Sequence, residues 1–161
     1  MPLRISPALK GLITAVLMIA AFLFVFKTNK ESGGLQYIVY GFYGLGITWT
    51  LMAYRQSASF TGKFADLFSQ GFRCFIVVTL SIALFYWIFN LIHPEFAEES
   101  AAVYKERLLQ SKDKMPPDIE SEVATFKKQY TLKLVSGAIF GYLIIGVGVT
   151  GVGAALLSRR K

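Results

Sequence analysis

The chain has 161 residues, enough for one compact domain, and 54% of them are apolar while only 17% are charged, against about 25% charged in an average soluble protein. So little polar surface cannot cover a soluble globule, which excludes an intrinsically disordered chain and argues against a soluble enzyme; the membrane is the natural solvent. The single cysteine, Cys74, excludes a structural disulfide, a paired-thiol redox centre and a thiolate zinc cluster within one chain.

In chain order, four uncharged stretches are expected to form spans: Gly11 to Phe26, extendable back to Ala8 across Lys10, then residues 35–54, 74–92 and 134–157. A helix rising about 1.5 Å per residue needs roughly 20 residues to cross about 30 Å of hydrocarbon, so all four can cross. Lys10 must snorkel toward the headgroups from the end of the first span. Ala20-Ala21 is followed by Phe-Leu-Phe-Val-Phe-Lys rather than by a polar cleavage region, which reads as an uncleaved span and not a signal peptide.

Between the second and third spans, Phe60, Phe64, Leu67, Phe68 and Phe72 fall on one apolar stripe with Lys63 and Asp66 off it. That pattern predicts an amphipathic helix over about 59–71, lying along the inner leaflet through Phe60, Phe64 and Phe68, with Lys63 at the lipid surface. After the third span, Pro94 stops the helix, and the composition turns to Glu, Lys, Ala and Ser over 94–133. Met115-Pro116-Pro117 interrupts this outer loop. Asp118 is expected as an N-cap, followed by one long helix from about Ile119 to Leu157. With the segment from Glu95 to Ser111 it would form a helical hairpin outside the membrane.

An even number of spans puts both termini on one side. There the bases Arg4, Lys10, Arg55, Lys63, Arg73, Arg159, Arg160 and Lys161 stand against Asp66 alone and account for the whole net charge of +7, while the bases and acids of the other side cancel. This places both termini in the cytoplasm and turns the positive charge, including Arg159, Arg160 and Lys161, toward anionic inner-leaflet lipid and not toward nucleic acid.

The fourth span contains Gly146-Val-Gly148-Val-Thr-Gly151, a G-x-G-x-x-G match that lacks the strand-turn-helix setting a dinucleotide site needs. Gly137, Gly141, Gly146, Gly148 and Gly151 instead suit close helix approach, with Gly41 and Gly44 of the second span as the matching surface. No span carries an ionisable group of the kind that ion-coupled transport uses. His93 lacks a ligand set, and no nucleophile, paired-carboxylate site or phosphate loop stands out.

Gly11-Leu-Ile-Thr, the run from Ser59-Phe60 through Phe68-Ser69-Gln70-Gly71-Phe72, the exit Asn90-Leu-Ile-His93-Pro94-Glu95-Phe96 and the long polar loop before a basic-ended last span together carry a family likeness. In them the chain resembles, over nearly its whole length, an uncharacterised bacterial family of four-span inner-membrane proteins, a domain of unknown function common in Bacteroidota. The resemblance implies a four-span fold and supplies no activity or catalytic residue. The glycine-rich fourth span departs from that pattern and points to a particular partner.

The sequence therefore reads as an all-α integral membrane four-helix bundle with an inner-face amphipathic helix and an outer helical hairpin, multi-pass in a bacterial inner membrane. Its expected role is non-enzymatic, a structural or accessory subunit, with no cofactor, metal or catalytic residue; the alternative is a passive conduit or carrier for a lipid or amphipathic small molecule. The expected partners are the bilayer and either other membrane subunits or a second copy.

Overall fold

The structure, a computed structural model, describes residues 5–27, 35–111 and 115–158, and among them there are five α-helices and no strand. Arg159, Arg160 and Lys161 lie outside the described residues.

Helix α1 (Pro7–Lys27) starts where the sequence supplies a cap. The Ser6 Oγ accepts the Leu9 N–H at 3.2 Å, its carbonyl accepts the Lys10 N–H at 3.0 Å, and Pro7 takes the first helical position, where its missing N–H costs nothing. Helix α2 (Leu35–Arg55) ends in a hydrogen-bonded turn. Two of its last carbonyls are used there: Met52 O accepts Gln56 N–H at 3.1 Å and Tyr54 O accepts Ser57 N–H at 3.0 Å. Gly62 then takes φ +78°, a conformation that costs glycine little, and the chain enters helix α3 (Phe64–Ile92).

Helix α3 replaces the expected surface helix over 59–71. Phe60 and Lys63 precede the helix, and Phe64 and Phe68 belong to the same unbroken helix as the third apolar stretch. Phe64, Phe68 and Phe72 stack along it at 5.8 and 6.5 Å between ring centroids. Nothing between Phe68 and Cys74 breaks a helix except Gly71, whose propensity cost of about 1 kcal/mol is offset by the close approach of another helix.

Pro94 separates α3 from helix α4 (Glu95–Ser111), and residues 116–158 form one helix, α5 (Pro116–Ser158). At about 1.5 Å per residue its 43 residues run for about 65 Å. It begins a turn earlier than the Ile119 start read from the sequence, because prolines are harmless in a first turn. Asp118 is consequently not the N-cap: it lies in the first turn, and its N–H bonds the Met115 carbonyl at 3.0 Å.

Three helices, α1, α3 and α5, are long and apolar enough to cross a membrane, so the chain is a multi-pass membrane protein. Helix α2 has 21 residues but is diluted by Tyr37, Tyr40, Tyr43, Thr48, Thr50 and three glycines, and does not reach the same apolarity.

The described residues fall into two compact units, one formed by residues up to Ile82 together with those from Ile139 onward, the other by Ala83–Ala138. In the first unit the helices meet at positions that lack a Cβ. A Cβ on Gly11 would lie 2.5 Å from the Cys74 carbonyl oxygen and 3.2 Å from Val77 Cβ, so α1 and α3 touch through backbone. Gly46 of α2 admits Thr14 of α1, Gly71 of α3 admits Thr150 of α5, and Gly153 of α5 sits where a Cβ would lie 2.6 Å from Leu51. The Tyr43 hydroxyl donates to the Tyr142 carbonyl at 2.8 Å. Thr14, Thr48 and Thr50 donate to the carbonyls of Lys10, Gly44 and Gly46 at 2.8 to 2.9 Å, which satisfies each hydroxyl within its own helix. Cys74 is buried in the same unit, its Sγ 3.9 Å from the Gly46 carbonyl.

The second unit closes by other means. The Tyr104 ring of α4 stacks on Phe126 of α5 at 4.5 Å with 16° between planes, the Lys127 ammonium meets Glu98 at 2.7 Å, and Lys133 lies over the Phe126 ring at 5.6 Å. Phe89 and Phe96 stack across the Pro94 corner at 5.8 Å.

Candidate functional site

The first unit contains one place where charge, hydroxyls and aromatic surface converge. Helix α1 begins at Pro7, so Lys10 falls in its first turns with its stem against the neighbouring helix; the residue is only 8% exposed. Its ammonium stands over the Trp49 ring of α2 at 5.5 Å from the centroid, close enough for a cation–π attraction. Among the described residues, no carboxylate reaches it.

Around Lys10 opens a groove of about 430 Å³, walled on one side by Ile5, Ser6 and Pro7, on another by Trp49, Thr50, Ala53 and Tyr54, and completed by Ser57, Ser59 and Gln70. The turn after α2 shapes its rim. Tyr54 OH donates to the Ser59 carbonyl at 3.2 Å, the Ser57 Oγ donates to the Tyr54 carbonyl at 2.6 Å, and the Tyr54 ring meets Phe60 edge-on at 5.9 Å. At the α3 entrance, Thr61 donates to the Asp66 carboxylate and accepts the Lys63 N–H at 3.3 Å. Asp66 in the first turn of α3 also suits the positive end of that helix. The rim is thus held by its own hydrogen bonds.

The sequence-predicted glycines separate into two sets. Gly146 lies at a crossing, where a Cβ would strike the Tyr43 hydroxyl and lie 2.7 Å from the Phe75 ring. At Gly41, Gly44, Gly137, Gly141, Gly148 and Gly151 a Cβ would meet, among the described residues, no heavy atom beyond its own helix turn within 4 Å. The close crossings within the chain use Gly11, Gly46, Gly71 and Gly153 instead. Of the residues assigned to the membrane surface, Phe64 is 46% exposed, Lys63 is exposed, and Phe60 and Phe68 are half-buried.

Sequence reasoning missed the pairing of Lys10 with Trp49. The sequence marks Lys10 as a snorkelling end group, yet a lysine in the first turns of one span and a tryptophan near the end of the antiparallel next one fall at the same depth, and that is the signal it offers.

In the second unit, His93 Nδ1 is 2.6 Å from the Glu95 carboxylate. The Glu95 carboxyl is held below the usual carboxylate range by its own backbone N–H and, next, by His93. Among the described residues no three His, Cys, Asp or Glu side chains gather into a metal-binding group.

A family model described as "Protein of unknown function (DUF4199)" matches residues 9–159, nearly the whole chain. No curated protein and no solved structure matches it.

Proposed function

We propose a role for this chain, which belongs to the DUF4199 family, from its own geometry: a non-enzymatic, four-span structural or accessory subunit of a bacterial inner-membrane assembly. The fourth span is α2. Its Tyr43, Thr48 and Thr50 hydroxyls donate to the Tyr142, Gly44 and Gly46 carbonyls, which supports its standing in hydrocarbon beside α1, α3 and α5. Among the described residues, the start of α1 and the segment joining α2 to α3 carry Lys10, Arg55, Lys63 and Arg73 against the one acid Asp66, which supports a cytoplasmic location for that side.

The observation that carries the accessory role is the open glycine set. Gly41 and Gly44 on α2, and Gly141, Gly148 and Gly151 on α5, face no other helix among the described residues where a Cβ would stand. Each costs its helix about 1 kcal/mol relative to alanine, and in a bilayer such positions are recovered by letting another helix approach closely. The occupant is a membrane helix of a different subunit.

Native mass spectrometry of the tagged protein, gently extracted from its own membranes, tests this. Wild type should carry a defined second subunit that the Gly141→Leu and Gly148→Leu double variant loses. A homo-oligomer, or a monomer in both cases, would refute the heteromeric role.

The groove at Lys10 favours a second reading, a conduit or carrier for a lipid or amphipathic small molecule. Reconstituted protein that gives no flux or lipid scrambling above empty liposomes would remove it.

A further inference from the structure

We infer that the groove around Lys10 is a binding site for the phosphate group of an anionic phospholipid. The inference rests on the reading of the first unit as membrane-embedded and is independent of any partner subunit.

Lys10 is more than nine-tenths buried, and its ammonium has three N–H donors. Among the described residues its contact is the face of Trp49, which accepts no conventional hydrogen bond. Such a cation, set in a chain that otherwise keeps charge out of its apolar stretches, calls for an anion from outside the chain.

The surroundings select which anion. Ser6 and Pro7 bring the start of α1 to the groove, so the positive end of a 21-residue helix adds to the field of Lys10. The opposing negative end of α2 is partly muted, because its Met52 and Tyr54 carbonyls are taken up by Gln56 and Ser57. Gln70 adds amide donors on the α3 side. One ammonium and an amide, set in the field of a helix N-terminus, suit a phosphate diester, and about 430 Å³ lies within the roughly 300–1,000 Å³ of small-molecule sites.

The exposed apolar wall decides between a lipid headgroup and free phosphate. Ile5 and Trp49 line the groove with 39 and 42% of their surface uncovered. A headgroup with acyl chains would cover that wall, whereas an inorganic ion would leave it bare. Tryptophan at this depth is also the usual neighbour of a headgroup layer.

The test uses the full chain in nanodiscs of phosphatidylcholine with a minor fraction of phosphatidylglycerol, read by native mass spectrometry of the lipid retained on release. Wild type should retain phosphatidylglycerol over phosphatidylcholine. Lys10→Met, which keeps the apolar stem, should lower that preference about tenfold, the equivalent of one charge-assisted contact. Lys10→Arg should largely keep it, and Gln70→Leu should give a smaller loss, so the site can be judged even if Lys10→Met misfolds.

A parallel arm titrates detergent-solubilised protein with inorganic phosphate. If phosphate binds in a Lys10-dependent way while phosphatidylglycerol shows no preference, the lipid assignment is overturned in favour of a soluble phosphate. If the protein enters nanodiscs and wild type and Lys10→Met retain both lipids equally, the site itself is refuted with the membrane reading intact. Failure to enter nanodiscs overturns both.

Discussion

The two compact units of this chain are packed by opposite devices. In the first, helices approach through glycines, with Gly11 against the Cys74 carbonyl and Gly71 against Thr150, and the buried Thr14, Tyr43 and Thr50 hydroxyls bond backbone carbonyls. In the second, a ring stack between Tyr104 and Phe126 and an ion pair between Glu98 and Lys127 hold α4 to α5. Lipid chains are as apolar as leucine, so burying leucine drives nothing in a bilayer and close backbone approach must serve instead. In water, aromatic area and ion pairs are available. The glycine crossings are the means a bilayer rewards, and the contacts between α4 and α5 are those that water rewards.

The sharpest way to break this contrast is at Gly11. Gly11→Leu forces a side chain into the Cys74 backbone, and overpacking of that kind should cost about 3 kcal/mol, read as a lowered unfolding midpoint of detergent-solubilised protein. Gly148→Ala, where nothing stands within 4 Å, should instead be neutral or stabilise by up to about 1 kcal/mol. Equal losses at both sites would abolish the distinction between closed and open glycines.

Phe126→Ala removes the ring that both Tyr104 and Lys133 use. It should cost the second unit about 1–2 kcal/mol, visible as faster amide exchange along α4 with exchange in α1 and α2 unchanged. Tyr43→Phe deletes the bond to the Tyr142 carbonyl and should cost about 1 kcal/mol, confined to the first unit by the same measurement.

The smallest effects lie in exposed charges. Glu98→Gln should cost at most about 0.5 kcal/mol and less in high salt, as exposed pairs do. Glu95, with its carboxyl held low in the folded chain, favours folding when ionised: that contribution is complete above the ordinary carboxylate value and is lost as pH falls through the lowered one. Protection of the first turn of α4 should therefore decline on the acid side of the usual glutamate range, and Glu95→Gln should flatten that decline.

Much of the helix layout was legible because uncharged runs, Pro94 and the Pro116-Pro117 pair are strong punctuation. The start of α3 was not, since a surface helix and an early-starting span give the same Phe64, Phe68 and Phe72 stripe, and periodicity cannot tell them apart. Helix α2 looked as apolar as its neighbours by absence of charge, but tyrosines and threonines dilute it without adding charge. The glycines misled for a related reason: α2 and α5 carry them on more than one face, and only the neighbours Thr14, Leu51, Tyr43 and Thr150 decide which face closes. The groove was hidden because Lys10, Trp49 and Gln70 come from three helices.

The burial of Cys74 has a practical corollary. Because the chain's single thiol is shut inside the first unit beside the Gly46 carbonyl, the native protein should be silent to membrane-impermeant maleimides. It is a ready-made blank for topology mapping: one cysteine placed at Ser59, in the turn before α3, and another at Ser111, at the end of α4, would each report from intact cells which aqueous compartment its segment occupies.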